Sequence, residues 1–216
     1  MSFFENTRRP TGVGGKLMIS MMNMGHSAMT KWGLQFLPLA ADARVLDCGC
    51  GGGAAIRRLL RQCPQGIVKG LDYSPVSVEK ARWLNEKAIR DGRCMVWKGS
   101  VEQIVFADSW FDAVTAFETV YFWPDLPQCF REIYRVLKPG GTFLICNECS
   151  GDTGKDDHWT QHIQGMTIYK DVQLKDLLEQ SGFQNIQIRK NKRDWLCVMA
   201  EKGCKTASKP TAELLT

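Results

Sequence analysis

The chain has 216 residues, 44% of them hydrophobic and 24% charged; this is the size of one domain with at most an appendage, and it excludes disordered, collagen-like and low-complexity proteins. The net charge of +5, from 28 basic and 23 acidic residues, is mild, and its compact basic stretch, Arg189 to Arg193, reads as a solvated turn, so no nucleic-acid partner is expected. Apolar runs fall short of a bilayer span, the N-terminus shows no signal-peptide pattern, and an odd count of nine cysteines reads as reduced thiols; a cytoplasmic chain with no membrane partner is expected.

Residues 1–15 are polar and glycine-rich. Residues 16–38 carry Met18, Met21, Met22, Met29, Trp32, Leu34 and Phe36, a pattern of one or two short helices interrupted near Gly25. From Arg44 a strand–helix order begins. Val45-Leu46 runs into glycines, Ala54–Leu60 is helical and Ile67–Leu71 extended. Ser74 and Pro75 open a helix expected to end near Asp91-Gly92. Cys94–Trp97 and Phe111–Phe117 are expected strands. Leu126, Phe130, Ile133, Val136 and Leu137 recur at helical spacing, and Pro139-Gly140-Gly141 is expected to stop that helix before a strand over Thr142–Ile145. After a helix over Val172–Gln180, the strands Phe183–Ile188 and Trp195–Ala200 are separated by a turn too short for a crossover, so they pair antiparallel. The fold class is therefore α/β: a doubly wound, mostly parallel sheet covered on both faces, with an antiparallel hairpin at its end.

The strongest local signal is Asp47-Cys48-Gly49-Cys50-Gly51-Gly52-Gly53 between a strand and a helix. Glycines there permit a tight turn and close approach of a ligand to the backbone. Gly49-x-Gly51-x-x-Ala54 also satisfies a relaxed dinucleotide fingerprint, so a nicotinamide oxidoreductase stays open on the loop alone. Asp47 favours a different ligand. A carboxylate at the mouth of the loop repels a pyrophosphate and suits a ligand carrying positive charge, such as S-adenosyl-L-methionine. Asp72, at the end of the second strand, is placed to accept from ribose hydroxyls.

Taken together, Asp47-x-Gly49-x-Gly51-x-Gly53, Leu71-Asp72-Tyr73-Ser74, Phe111-Asp112-Ala113-Val114 and Val136-Leu137-Lys138-Pro139-Gly140-Gly141 resemble the successive motifs of class I S-adenosylmethionine-dependent methyltransferases, over about residues 41–202. Their order and spacing are similar to the small-molecule branch that includes the ubiquinone/menaquinone-biosynthesis type. The resemblance implies a seven-stranded sheet, S-adenosyl-L-methionine as cofactor, and a small-molecule acceptor with an N, O, S or C nucleophile. Residue by residue it implies that Gly49 and Gly51 approach the methionine part. Asp72 would bind the ribose, with Tyr73 beside the adenine. Ser100 and Val101 would meet the adenine edge, where the family often has an acid, and the carbonyls of Phe117 and Glu118 would meet the cofactor ammonium. A noncatalytic cofactor-binding module is the alternative from another class.

Beyond the cofactor, the run Glu118 to Trp123 is expected at the methyl group, with Tyr121 and its aromatic neighbours walling off water. Glu148, ending the fifth strand, and His26, in the N-terminal segment, are the candidate proton acceptors. Residues 1–40 are expected to form a helical lid over a methyltransferase domain at 41–203, with a flexible tail at 204–216, in a monomer or homodimer. No metal is expected: His158 and His162 share helical spacing but lack a ligand pattern, and Cys146 and Cys149 point to opposite faces of an extended strand. Cys48 and Cys50 leave open a thiol near the cofactor.

Overall fold

The computed structural model describes residues 25–204 except 154, 155 and 164. The Met-rich stretch before Gly25 and the expected tail after Cys204 lie outside the described residues, as do the side chains of Asp157 and His158. In chain order the elements are α1 (Ser27–Leu34), β1 (Arg44–Cys48), α2 (Ala54–Gln62), β2 (Ile67–Asp72), α3 (Pro75–Leu84), α4 (Glu86–Arg90), β3 (Cys94–Lys98) and β4 (Phe111–Phe117). They continue with α5 (Leu126–Val136), β5 (Leu137–Asn147), α6 (Asp156–His162), α7 (Asp171–Gln180), β6 (Phe183–Lys190) and β7 (Leu196–Lys202). A 3-10 turn, Val120–Phe122, follows β4.

The seven strands form one sheet in the order β3-β2-β1-β4-β5-β7-β6. All neighbours up to β5 pair parallel, and β7 pairs antiparallel with both β5 and β6. Val45 of β1 faces Val68 of β2 on one side and Ala113 of β4 on the other. The chain leaves β1 toward β2 and returns beside it as β4, so the sheet reverses direction of winding between β1 and β4. Ligands of open α/β sheets bind at the carboxyl ends of the strands at such a reversal.

Alternation along the strands splits the core between the two faces. Val45, Val68, Val96 and Leu144 pack with Leu59 of α2, Ala81 of α3 and Met29 of α1. Leu46, Val114 and Phe143 pack with α5 and with Leu174 and Leu178 of α7. The helices carry the matching stripes. Leu126, Cys129, Phe130, Ile133 and Val136 line the buried side of α5, whose N-cap Asp125 accepts from the Gln128 N–H at 2.9 Å. Each such large side chain contributes about 1.5–3 kcal/mol by leaving water.

Two boundaries differ from the sequence reading. The helix expected from Pro75 to about Asp91 breaks at Asn85, whose side-chain amide donates to the carbonyls of Gly53 at 3.1 Å and Ala81 at 2.9 Å, tying α3 to the glycine loop. Pro139-Gly140-Gly141 does not separate α5 from a strand. β5 begins at Leu137, opposite Phe111, and a register shift between Phe111 and Ala113 absorbs the irregular stretch.

The described part of the expected lid is built into the core. Met29 is fully buried and Leu34 and Leu37 nearly so. Arg58 of α2 donates to Ser27 Oγ, and Gln62 donates to the Leu34 carbonyl at 3.3 Å. Gly33 lies so close to β5 that a Cβ there would stand 2.6 Å from Cys146 Sγ. Among the described residues no helix is long and apolar enough to cross a membrane.

Candidate active site

A cleft of about 330 Å³ opens at the carboxyl ends of β1, β2 and β4. Its floor is the glycine loop. The N–H groups of Gly49 and Cys50 both donate to the Leu71 carbonyl, at 2.7 and 3.0 Å, which folds the loop back over β2. Gly49 has φ +70°, and a Cβ there would meet Thr119 Oγ1 at 1.9 Å; this glycine is required by the turn that follows β4. Gly51 has φ +50° and nothing within 4 Å of the position a Cβ would take, although it lines the cleft. The two glycines thus do different work. Gly49 lets two loops touch, and Gly51 leaves room for something else.

Asp72, 7% exposed, locks the loop to the end of β2. Its Oδ2 accepts from the Gly51 N–H and its Oδ1 from the Ser74 N–H, both at 2.8 Å. Each carboxylate oxygen has two lone pairs, so acceptor capacity remains on both toward the cleft. Burial pushes this carboxyl above its ordinary value, with the two N–H donors opposing. Tyr73 beside it is 40% exposed and lines the cleft. Asp47 is buried. Its Oδ1 accepts from the Thr115 hydroxyl at 2.7 Å, while its Oδ2 is buried with no hydrogen-bond partner. Burial drives the Asp47 carboxyl up to about 7, the Thr115 hydroxyl opposing and the negative charge of Asp72 adding to the rise.

After β3, Ser100 and Val101 reach the cleft as expected, but not alone. Glu102 lines it as well, accepting from the Ser100 hydroxyl at 3.0 Å and donating its own N–H to Ser100 Oγ at 3.2 Å. The acid missing at position 100 therefore stands two residues on. Its sequence signal, Ser100-x-Glu102, lies two residues beyond the family's acidic position.

The fourth strand delivers Phe117 and Glu118. Glu118 has φ +57°, uncommon for a side chain of its kind, and is held there by its N–H, which donates to the Cys146 carbonyl at 3.0 Å. Its Oε1 accepts from the Glu148 N–H and from the Tyr121 hydroxyl, the latter at 3.3 Å. Burial raises the Glu118 carboxyl to about 7, with His26 lowering it and Glu148 raising it further. Tyr121 is buried and does not reach the cleft; its oxygen also accepts from the Cys149 N–H at 3.0 Å. Burial and the Glu118 charge hold its hydroxyl well above the usual tyrosine value, so it stays neutral and acts only by orienting Glu118. Tyr121, expected at the methyl group, is therefore not there. In the structure Phe122 and Trp123 occupy the cleft wall instead, because the 3-10 turn sends Tyr121 inward toward β5. Thr119, unnoticed in the sequence, accepts from Trp123 Nε1 at 3.1 Å and thereby ties this wall to Gly49.

His26 and Thr30, from the start of α1, close the far side of the cleft. The Thr30 hydroxyl donates to the His26 carbonyl at 2.9 Å. His26 Nδ1 stands 3.8 Å from Glu118 Oε2 and 3.5 Å from Glu148 Oε2. Burial disfavours its cationic form, but Glu148 and Glu118 together outweigh that and leave its pKa above the ordinary value. His26 and Glu148, far apart in sequence, are thus brought together. Cys48 and Cys50 are not: Cys48 packs with Leu46 on one face of the sheet and Cys50 with Val45 on the other. Burial pushes both thiols well above their ordinary value, which removes them as nucleophiles. All nine cysteines are free thiols.

A family profile described as a methyltransferase domain matches residues 46–145, the span from β1 to β5 that builds most of this cleft. Residues 46–145 thus match a methyltransferase domain, and the sheet around them has the fold of class I S-adenosylmethionine-dependent methyltransferases. Among curated proteins the chain is similar to cycloartenol-C-24-methyltransferase of Arabidopsis thaliana, 33% identical over 69% of this chain and 47% of that protein. It is also similar to the sterol 24-C-methyltransferase of Aspergillus fumigatus, 38% identical over 53% of this chain and 30% of that one. The chain spans less than half the length of these relatives. Among solved structures, the methyltransferase in complex with the Haloferax volcanii Trm112 activator superposes with a TM-score of 0.80 at 22% identity, covering 88% of this chain and 95% of that one. Geranyl diphosphate C-methyltransferase from Streptomyces coelicolor, solved with Mg2+ and S-adenosyl-L-homocysteine, superposes with a TM-score of 0.69 at 15% identity over 82% of this chain and 80% of that one. These two show the fold.

S-adenosyl-L-methionine fits the residues present. The open space at Gly51 accommodates close approach to the backbone, Asp72 has acceptor capacity left for ribose hydroxyls, and the partnerless Asp47 Oδ2 suits an ammonium. A testable consequence follows from Asp47. A carboxyl near 7 must be ionised to hold a cation, so binding releases a proton wherever the free group is protonated. Affinity for S-adenosyl-L-homocysteine should rise roughly five- to tenfold from pH 6 to pH 7.5. Calorimetry across that range checks this, and Asp47→Asn should flatten the dependence while lowering affinity at the upper end.

Proposed function

We propose that the chain transfers the methyl group of S-adenosyl-L-methionine to a small acceptor with an apolar body. The observation that carries the reading is one continuous cleft, lined both by Asp72, Gly51 and Asp47 and by Phe122, Trp123, His26 and Glu118. The cofactor brings an already activated methyl group on a sulfonium. The chain's own residues then bind, orient and exclude water. Asp72 and Glu102 fix the nucleoside end, and Asp47 holds the ammonium. Phe117, Phe122 and Trp123 line the cleft against solvent, and in-line placement of the acceptor supplies the rate. His26, Glu118 and Glu148 are the groups that meet the acceptor's polar end, and Tyr121 positions Glu118. The sterol methyltransferases among the relatives support an apolar acceptor.

Purified chain incubated with methyl-labelled S-adenosyl-L-methionine and fractionated cell metabolites tests this. Label should pass into an apolar-extractable small molecule. A chain that binds S-adenosyl-L-homocysteine yet labels nothing from any fraction is instead a cofactor-binding module.

A further inference from the structure

Three polar side chains from three separate segments converge where His26 and Glu118 line the cleft: His26 ahead of α1, Glu118 after β4 and, beside them, Glu148 after β5. We infer that they form a binding site for a divalent transition cation, Mn2+ or Zn2+. The inference deepens the methyltransferase reading, on which it rests for the place of the acceptor.

The geometry is that of a ligand set. One donor atom from each residue lies within 4.8 Å of the other two, and Nδ1 of His26 is 3.5 and 3.8 Å from the two carboxylate oxygens. Donors bonded at about 2.0–2.2 Å to a tetrahedral centre stand roughly 3.3–3.6 Å apart, so small side-chain rotations complete the contact. One imidazole and two carboxylates suit manganese or zinc, and with a neutral imidazole their charge of about −2 matches a divalent ion.

Two further observations point the same way. His26 Nδ1 is buried with no hydrogen-bond partner, although it lies between two carboxylates. Glu118 is oriented as metal-binding carboxylates are: its Oε1 is taken by the Glu148 N–H and the Tyr121 hydroxyl, and its Oε2 is the oxygen turned to His26. No lysine or arginine lines the cleft among the described residues to neutralise these acids. Because His26 and Glu118 face the cleft, the open positions of a bound cation face it too, and an oxygen of the acceptor would complete the coordination there.

The test is an electron paramagnetic resonance titration of the full chain with Mn2+, with Zn2+ as competitor. Wild type should bind one Mn2+ per chain, displaced by Zn2+. His26→Ala and Glu148→Gln should each weaken binding at least tenfold. Thermal melts show whether either variant is folded; if His26→Ala loosens α1, Glu148→Gln, whose side chain is about one-third exposed, decides alone. Absence of binding below about 1 mM, or binding that Glu148→Gln leaves unchanged, overturns the inference and leaves the three residues as an ion pair. S-adenosyl-L-homocysteine is titrated into the same samples by calorimetry. A chain that binds it but takes up no Mn2+ refutes the cation site alone, whereas a folded chain that does not bind it refutes the methyltransferase reading.

Discussion

Asp72→Ala is expected to reduce S-adenosyl-L-homocysteine affinity by tenfold or more and to lower the melting temperature as well. The affinity loss comes from hydrogen bonds to a charged acceptor, each worth about 1.5–3 kcal/mol. The stability loss has a separate origin. Asp72 holds the N–H groups of Gly51 and Ser74, so its removal frees the glycine loop from the end of β2 and unseats the start of α3. Asp72→Asn separates the two effects, since the amide oxygen can still accept one of these N–H bonds while the charge is gone. Calorimetry on both variants checks this. Unchanged binding in Asp72→Ala would remove the residue from the cofactor site.

Gly51→Val is expected to abolish cofactor binding while the fold survives. The position lies open to the cleft with nothing within 4 Å of a new Cβ, so the branched side chain meets no protein atom but fills the space the ligand needs. The positive φ adds strain of about 1–2 kcal/mol, small enough for a domain of this size to tolerate. Gly49→Ala is the informative contrast. Its methyl would collide with Thr119 Oγ1 at 1.9 Å, so it should lower the melting temperature first and binding only through the disturbed loop. Melting curves with calorimetry distinguish the two glycines. Full affinity in Gly51→Val would place the cofactor elsewhere.

What was legible in the sequence was what local periodicity and backbone chemistry encode. The alternation of strands and helices, the Ser74-Pro75 cap, the terminal hairpin and the Asp47 and Asp72 positions all follow from spacing that neighbouring residues set. What was not legible depends on contacts between distant segments. Asn85 breaks a helix because its amide is drawn to Gly53, 32 positions earlier. Tyr121 turns inward because Glu118 and Cys149 offer it partners, and no property of Glu118 to Trp123 read alone says which aromatic faces the cleft. Glu102 and Thr119 carry no motif; their places follow from the Ser100 hydroxyl and from Gly49 across the loop. The packing of α1 was hidden for the same reason. Its apolar residues show that it is buried, but its seat against Cys146 of β5 is a tertiary fact.

The cleft lined by Asp72 and Glu118 is built for S-adenosyl-L-methionine and not for a dinucleotide. Parallel calorimetric titrations of the wild-type chain with S-adenosyl-L-homocysteine and with NAD test it most directly. One molecule of S-adenosyl-L-homocysteine should bind per chain with micromolar affinity, about −8 kcal/mol, with no heat from NAD at the same concentrations. Binding of NAD, or no binding of S-adenosyl-L-homocysteine by folded protein at pH 7.5, would contradict it.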